Sequence, residues 1–280
     1  RLHRDPDWPV HELAAHMEFV VFLFTLAGIS AIAPRLVRGR RPRHAWAVRF
    51  LFPGVLLYDS SLSVGADHVA AFFAAPIFLA MLRAWHEPTP RWLVLLVVSL
   101  AGAAMTKYTG ALSLIGFPIA VLVLRFAIEG VKKPFGRSRF GWGALLLAVG
   151  TALGAGLLLT APHWLKNWIW YGDPVYPLLH KHLTLRPWTE DSAQRFSAFL
   201  KTALWRPKAS WSGLWESTKV IFTWAFVPND WAQFHGKLPV FGALFSIGLA
   251  ILPFLRRTRR IWALYAMVHV GIFVWYWIHH

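Results

Sequence analysis

The chain is built from apolar blocks of roughly bilayer-spanning length, and its arginines and lysines collect in the connectors between them. A hydrocarbon core about 30 Å thick is crossed by a helix of about 20 mostly apolar residues, with a working range of about 17 to 25. Eight stretches come close: Met17 to Pro34, Ala45 to Tyr58, Ala66 to Trp85, Trp92 to Thr106, Gly110 to Ile128, Trp142 to Ala161, Leu238 to Leu255 and Ile261 to Ile278. The second and fourth are short by this measure. Arg49 and Pro53 interrupt the second, which predicts a kinked or partly re-entrant segment there. A soluble domain mixes polar residues into every helix to make a wet face. With 56% hydrophobic and 15% charged residues, whole blocks here lack one. The expectation is an all-α fold, a polytopic transmembrane helical bundle of about seven to eight spans.

A net charge of +16 in a soluble protein would point to nucleic acid, so the placement of the charge matters more than its sign. Arg35, Arg38, Arg40, Arg41 and Arg43 follow the first block, and Arg83 and Arg91 flank the third connector. Lys132, Lys133, Arg137 and Arg139 follow the fifth block, and Arg256, Arg257, Arg259 and Arg260 close the seventh. Connectors rich in Lys and Arg mark the cytoplasmic side of a bilayer. The alternate connectors, Asp59 to Asp67, the tight turn at Lys107 and Tyr108, and the long stretch from Pro162 to Lys237, then fall on the opposite side. The partner predicted by this pattern is the lipid bilayer, with no nucleic acid. Cysteine is absent, so disulfides, thiol nucleophiles and thiolate metal sites drop out together.

The whole chain, 1–280, reads as a single membrane domain, with 162–237 as a non-cytoplasmic interfacial cap inside it. Nine of the 17 tryptophans lie between Trp164 and Trp231, and indole rings favour the headgroup layer. Glu190 to Trp205 and Trp211 to Phe226 read as amphipathic helices lying along that layer, with Arg195, Lys201 and Lys219 on the wetter faces. No internal repeat, low-complexity tract, GxGxxG or Walker pattern occurs, which argues against nucleotide chemistry through a phosphate loop.

Polar residues stand at the outer block ends in three places. Asp67, at the start of the third block, either complements a helix N-terminus or serves as a site carboxylate for an acceptor or cation. Lys107 ends the fourth block in Met-Thr-Lys-Tyr-Thr-Gly; it either snorkels to the interface or, beside Tyr108 and Thr109, meets a phosphate near the outer leaflet. The sixth block runs into Ala-Pro-His-Trp-Leu-Lys-Asn, where Asn167 is expected to leave the helix. Gly172-Asp173-Pro174 then makes a turn, and Pro177 prevents an immediate return to helix. This segment is either a rigid corner with an Asn cap or the lining of a polar cavity through His163, Lys166 and Asn167. His180-Lys181-His182, even with Asp67-His68 as further ligands, is too weak a pattern to assign a metal. No Ser-His-Asp context such as GxSxG is present.

Three local patterns resemble the bacterial GT-C glycosyltransferases, the superfamily of lipid-A aminoarabinose transferases and protein mannosyltransferases. They are a small-residue stretch followed by an Asp and an apolar helix (Ser61 to Phe73), a Gly/Ala-rich helix ending in Lys-Tyr-Thr-Gly (Gly102 to Gly110), and Asn-x-x-x-x-Gly-Asp-Pro-x-Tyr-Pro after a helix (Asn167 to Pro177). The resemblance implies a bacterial inner-membrane enzyme that moves a sugar from a polyprenyl-phosphate carrier to an acceptor on the periplasmic or extracellular face, with no nucleotide sugar and no cofactor. It implies Lys107 at the carrier phosphate, Tyr108, His163, Lys166, Asn167, Asp173 and Tyr176 as further substrate-binding residues, and Asp67 as an acceptor-side or indirectly acting carboxylate. The family's principal acidic motif follows a first helix that this sequence lacks, and the surroundings of Asp5 and Asp7 do not match it. The expectation is a fragment without the N-terminal helix and the C-terminal part, whose principal base lies outside it. A multi-pass transporter or flippase for a lipid-linked or polar substrate is the competing expectation, and it predicts charge deeper in the bilayer than these blocks carry.

Overall fold

An apolar run with no water around it must pair its own backbone amides, and the helix is the local solution. A computed structural model of the chain describes residues 8–36, 66–132, 142–176, 179–183, 195, 208–223, 243–254 and 258–279, and among them every regular element is helical. The elements are α1 (Trp8–Leu36), α2 (Ala66–His86), α3 (Pro90–Thr106), α4 (Tyr108–Lys132), α5 (Trp142–Tyr171), the single turn α6 (His180–Leu183), α7 (Trp211–Thr223), α8 (Ala243–Ile251) with a 3₁₀ turn at Leu252–Phe254, and α9 (Arg259–His279). Three of them are long and apolar enough to cross a membrane, over Phe19–Leu36, Val69–His86 and Leu145–Tyr171; Pro90–Thr106 and Leu114–Ile128 are shorter apolar helices. The predicted second block, the cap helix over Glu190 to Trp205 apart from Arg195, and the start of the block at Leu238 lie outside the described residues.

Four long helices continue through a proline: Pro34 in α1, Pro76 in α2, Pro118 in α4 and Pro162 in α5. Each proline removes one ladder donor, but the apolar run on either side still has no better way to pair its amides. The consequence is largest in α5. The sequence reading ends this helix at Ala161; the structure carries it on to Tyr171, so Asn167 sits inside the helix instead of leaving it.

Direction is legible from close contacts. Phe24 meets Phe72 and Gly28 abuts Ala75, so α1 and α2 run parallel. Phe73 faces Gly102, so α3 returns antiparallel. Lys107 alone separates α3 from α4 and is extended (φ −161°, ψ 130°), which turns the chain sharply enough for the two helices to pack as neighbours. Arg125 Nε donates to the Trp85 carbonyl at 3.1 Å, which sets α4 parallel to α2. At the start of α9, Arg260 Nη1 donates to the Arg35 carbonyl at 2.9 Å.

The core is the seam between α2, α3, α4 and α9: Ile77, Phe78 and Met81 are essentially without exposure and pack with Leu96, Leu100 and Met267. A second cluster joins Ala84 and Leu93 to Ala148 and Ala152 of α5. The outside is equally apolar. Leu147 is 68% exposed and Leu158 77%, a surface that lipid covers at no cost and water does not.

Candidate functional site

Helix register brings the sequence-predicted residues to one end of the bundle. α3 and α5 run parallel, with Leu93 clustered on Ala148 and Ala152 and with Gly156 against Val97. Lys107 lies ten residues beyond Val97 and Lys166 ten beyond Gly156, about 15 Å of helix in each case, so the two stand at one level. In the antiparallel pair, six residues back from Phe73 is Asp67 and six on from Gly102 is Tyr108, which places both backbone positions at that level too. Arg35, Arg83, Arg91, Arg259 and Arg260 belong to the opposite end, where Arg260 bonds to Arg35 and the guanidinium groups of Arg83 and Arg91 lie 5.5 and 5.1 Å from the Trp92 ring.

The last turns of α5 supply most of the site. Its 30 residues are about 45 Å long, more than the roughly 30 Å that a hydrocarbon core requires. His163 and Asn167, one helical turn apart, share an inward face. Asn167 is only 3% exposed, and its Nδ2 lies 3.1 Å from His163 Nε2, within hydrogen-bond distance. Lys166, on the exposed face, holds its ammonium 5.5 Å from the Trp170 ring. Lys107 is half-buried, and its N–H closes α3 on the Ala103 carbonyl at 3.3 Å.

Beyond Tyr171 the chain turns on Gly172, whose φ of 72° favours glycine and whose N–H returns to the Trp168 carbonyl at 2.8 Å. Asp173 has no exposure at all. Its Oδ1 accepts the Val175 N–H at 2.9 Å and its Oδ2 the Leu179 N–H at 3.2 Å, so both carboxylate oxygens are engaged in holding the loop. The Tyr176 N–H reaches the Asp173 carbonyl at 3.1 Å and closes the turn. Tyr176 then stacks on Tyr171 with centroids 3.9 Å apart and planes 11° from parallel. Partial burial first, then the neighbouring Tyr171 and Asp173, raise the Tyr176 pKa above its ordinary 10.0.

The structure thus joins His163 to Asn167 and Asp173 to Tyr176, and sets Lys107 and Lys166 at their level. Sequence reading missed Tyr171. Its signal was a tyrosine on each side of Gly-Asp-Pro, five residues apart, which a turn at Gly172 brings face to face. His182 and Leu179 lie close together in chain, but among the described residues no three His, Asp or Glu side chains gather into a metal-ion site. α7 bears out the helix expected from Trp211: Ser210 Oγ accepts the Gly213 N–H as its cap, Gly213 and Ser217 are buried, and Trp211 and Trp215 are exposed.

Comparison with family models, with curated proteins and with solved structures finds no match. The arrangement is two ammonium groups and an amide–imidazole pair at one end of a bundle with an apolar surface, next to a turn with stacked tyrosines.

Proposed function

We propose that the protein is a membrane glycosyltransferase that moves a sugar from a polyprenyl-phosphate-linked donor to a lipid, glycan or protein acceptor on the non-cytoplasmic face of a bacterial inner membrane. The supporting observation is the common level of Lys107, Lys166 and the His163–Asn167 pair at the end of the bundle away from the arginines. In this reading the bundle has about seven to eight spans and the arginine end faces the cytoplasm. The acceptor oxygen attacks the anomeric carbon, the bond from that carbon to the phosphate oxygen breaks, and the carrier phosphate leaves with the electron pair. Lys107 and Lys166 stabilise the charge growing on that phosphate, which is where fixed cations lower a barrier. The hydroxyl proton passes to a carboxylate base, with Asp67 orienting the acceptor beside it. Asp173 acts through the turn it holds, and Tyr176 with Tyr171 presents a flat aromatic wall to the sugar or the lipid.

The test is sugar transfer in membranes containing the protein and a polyprenyl-phosphate-linked donor. Lys107→Ala is expected to lower the rate by about 10²-fold, the scale of losing one charge-stabilising donor, and Asp67→Asn to lower it less. If both variants, inserted at normal levels, transfer as fast as the unaltered protein, the reading fails.

A further inference from the structure

At the arginine end a cavity of 870 Å³ lies between α1, α2, α4 and α9, at the opposite end of the bundle from Lys107, Lys166 and the His163–Asn167 pair. Its walls have two characters. Leu82, Val121 and Leu124 are apolar, whereas His86, Arg259 and Arg260 are basic, and among the described residues none of the lining side chains is a carboxylate. Arg260 is held by the Arg35 carbonyl, a dipole that fixes the guanidinium without neutralising it. Both arginines also open α9, whose first turn carries no acidic residue. The positive end of a helix disfavours cations, so two of them there leave an unsatisfied positive potential facing a space large enough for a ligand.

From this juxtaposition we infer that the cavity is a binding site for an anionic phospholipid of the leaflet at the arginine end, with the headgroup phosphate on Arg259 and Arg260 and the first part of an acyl chain along Leu82, Val121 and Leu124. A phosphodiester matches the charge and the guanidinium fork, and basic pockets between membrane helices suit such headgroups. A free phosphate would satisfy the arginines but leave the apolar wall uncovered. This site stands independently of the transferase reading, because it lies at the other end of the molecule and uses none of the same residues.

The experiment is a titration of the purified protein in a zwitterionic detergent with dioctanoyl phosphatidylglycerol, dioctanoyl phosphatidylcholine and inorganic phosphate. Bound species are counted by native mass spectrometry. Phosphatidylglycerol is expected to bind about tenfold or more tighter than phosphatidylcholine, which offers the same phosphodiester but brings a choline cation up against the two arginines. Arg259→Gln, which leaves the Arg260–Arg35 bond in place, should reduce that preference by about the same factor, and Ala263→Trp, which adds bulk to the cavity wall, should abolish it. Equal binding of the two lipids, or an unchanged preference in Arg259→Gln, overturns the assignment. Inorganic phosphate binding as tightly as phosphatidylglycerol overturns it as well, in favour of a soluble-anion site. If Ala263→Trp fails to fold by size exclusion, the lipid comparison and Arg259→Gln decide the question alone.

Discussion

A carboxylate wholly withdrawn from solvent is tolerable only where donors meet its oxygens, and at Asp173 the donors are the loop's own amides at Val175 and Leu179. Asp173→Ala strands two backbone N–H groups and is expected to destabilise the turn by about 1 to 3 kcal/mol, whereas Asp173→Asn keeps one acceptor and loses less. Hydrogen exchange at Val175 and Leu179 reads the difference directly, and protection unchanged in the Ala variant would remove the turn-holding role. Tyr176 adds a pH dependence of defined sign. Its folded pKa is raised above 10.0, so the unfolded chain gives up the phenolic proton first. Its contribution is complete below pH 10.0 and is lost as pH rises through the higher folded value. Thermal midpoints should fall above pH 10.0, and fall less in Tyr176→Phe. At this scale the sequence revealed Gly-Asp-Pro as a turn, since those residue types have local preferences. It did not reveal that Asp173 is spent on the backbone, because Leu179 lies six residues away and only the folded loop brings it back.

Helices in lipid gain little from excluding water, so close approach through small residues carries much of their association. Gly156 of α5 is such a point: a Cβ there would press on a Val97 methyl of α3, whereas one at Gly154 meets nothing within 4 Å. Gly156→Leu should therefore lower thermal stability by about 1 to 3 kcal/mol and Gly154→Leu by less than about 0.5 kcal/mol, compared by unfolding in detergent. Equal effects would mean that the α3–α5 seam does not depend on this contact. The apolar blocks at α1 to α5 were readable because their composition forbids any other pairing of the backbone. Their ends were not. Hydropathy bounds the apolar block at Ala161 and puts the chain's exit from the helix at Asn167, because it falls where His163, Lys166 and Asn167 enter; the helix itself continues to Tyr171.

For the molecule as a whole, the register contacts divide the charged residues between two ends without reference to any membrane. Arg260 touches Arg35, Arg125 reaches Trp85, and helix register sets Lys107 and Lys166 at one level at the other end. The sequence reached the same division from alternate connectors, since charge in loops is visible without knowing how helices pack. It had no means of showing the cavity between α1, α2, α4 and α9, which needs side chains from residues 36 to 263 in one place. With no native cysteine, single-cysteine variants test the division cleanly. In sealed membrane vesicles of known orientation, Lys107→Cys and Lys166→Cys should react with a membrane-impermeant maleimide from one side, and Arg259→Cys from the other. Labelling of positions 107 and 259 from the same face would separate Lys107 from Lys166 or break the α1–α9 contact, and the two-ended bundle with it. On the two proposals, the opposite-face result would also assign a leaflet to each ligand: a lipid-linked sugar would approach from the lysine side, and an anionic phospholipid from the side of Arg259.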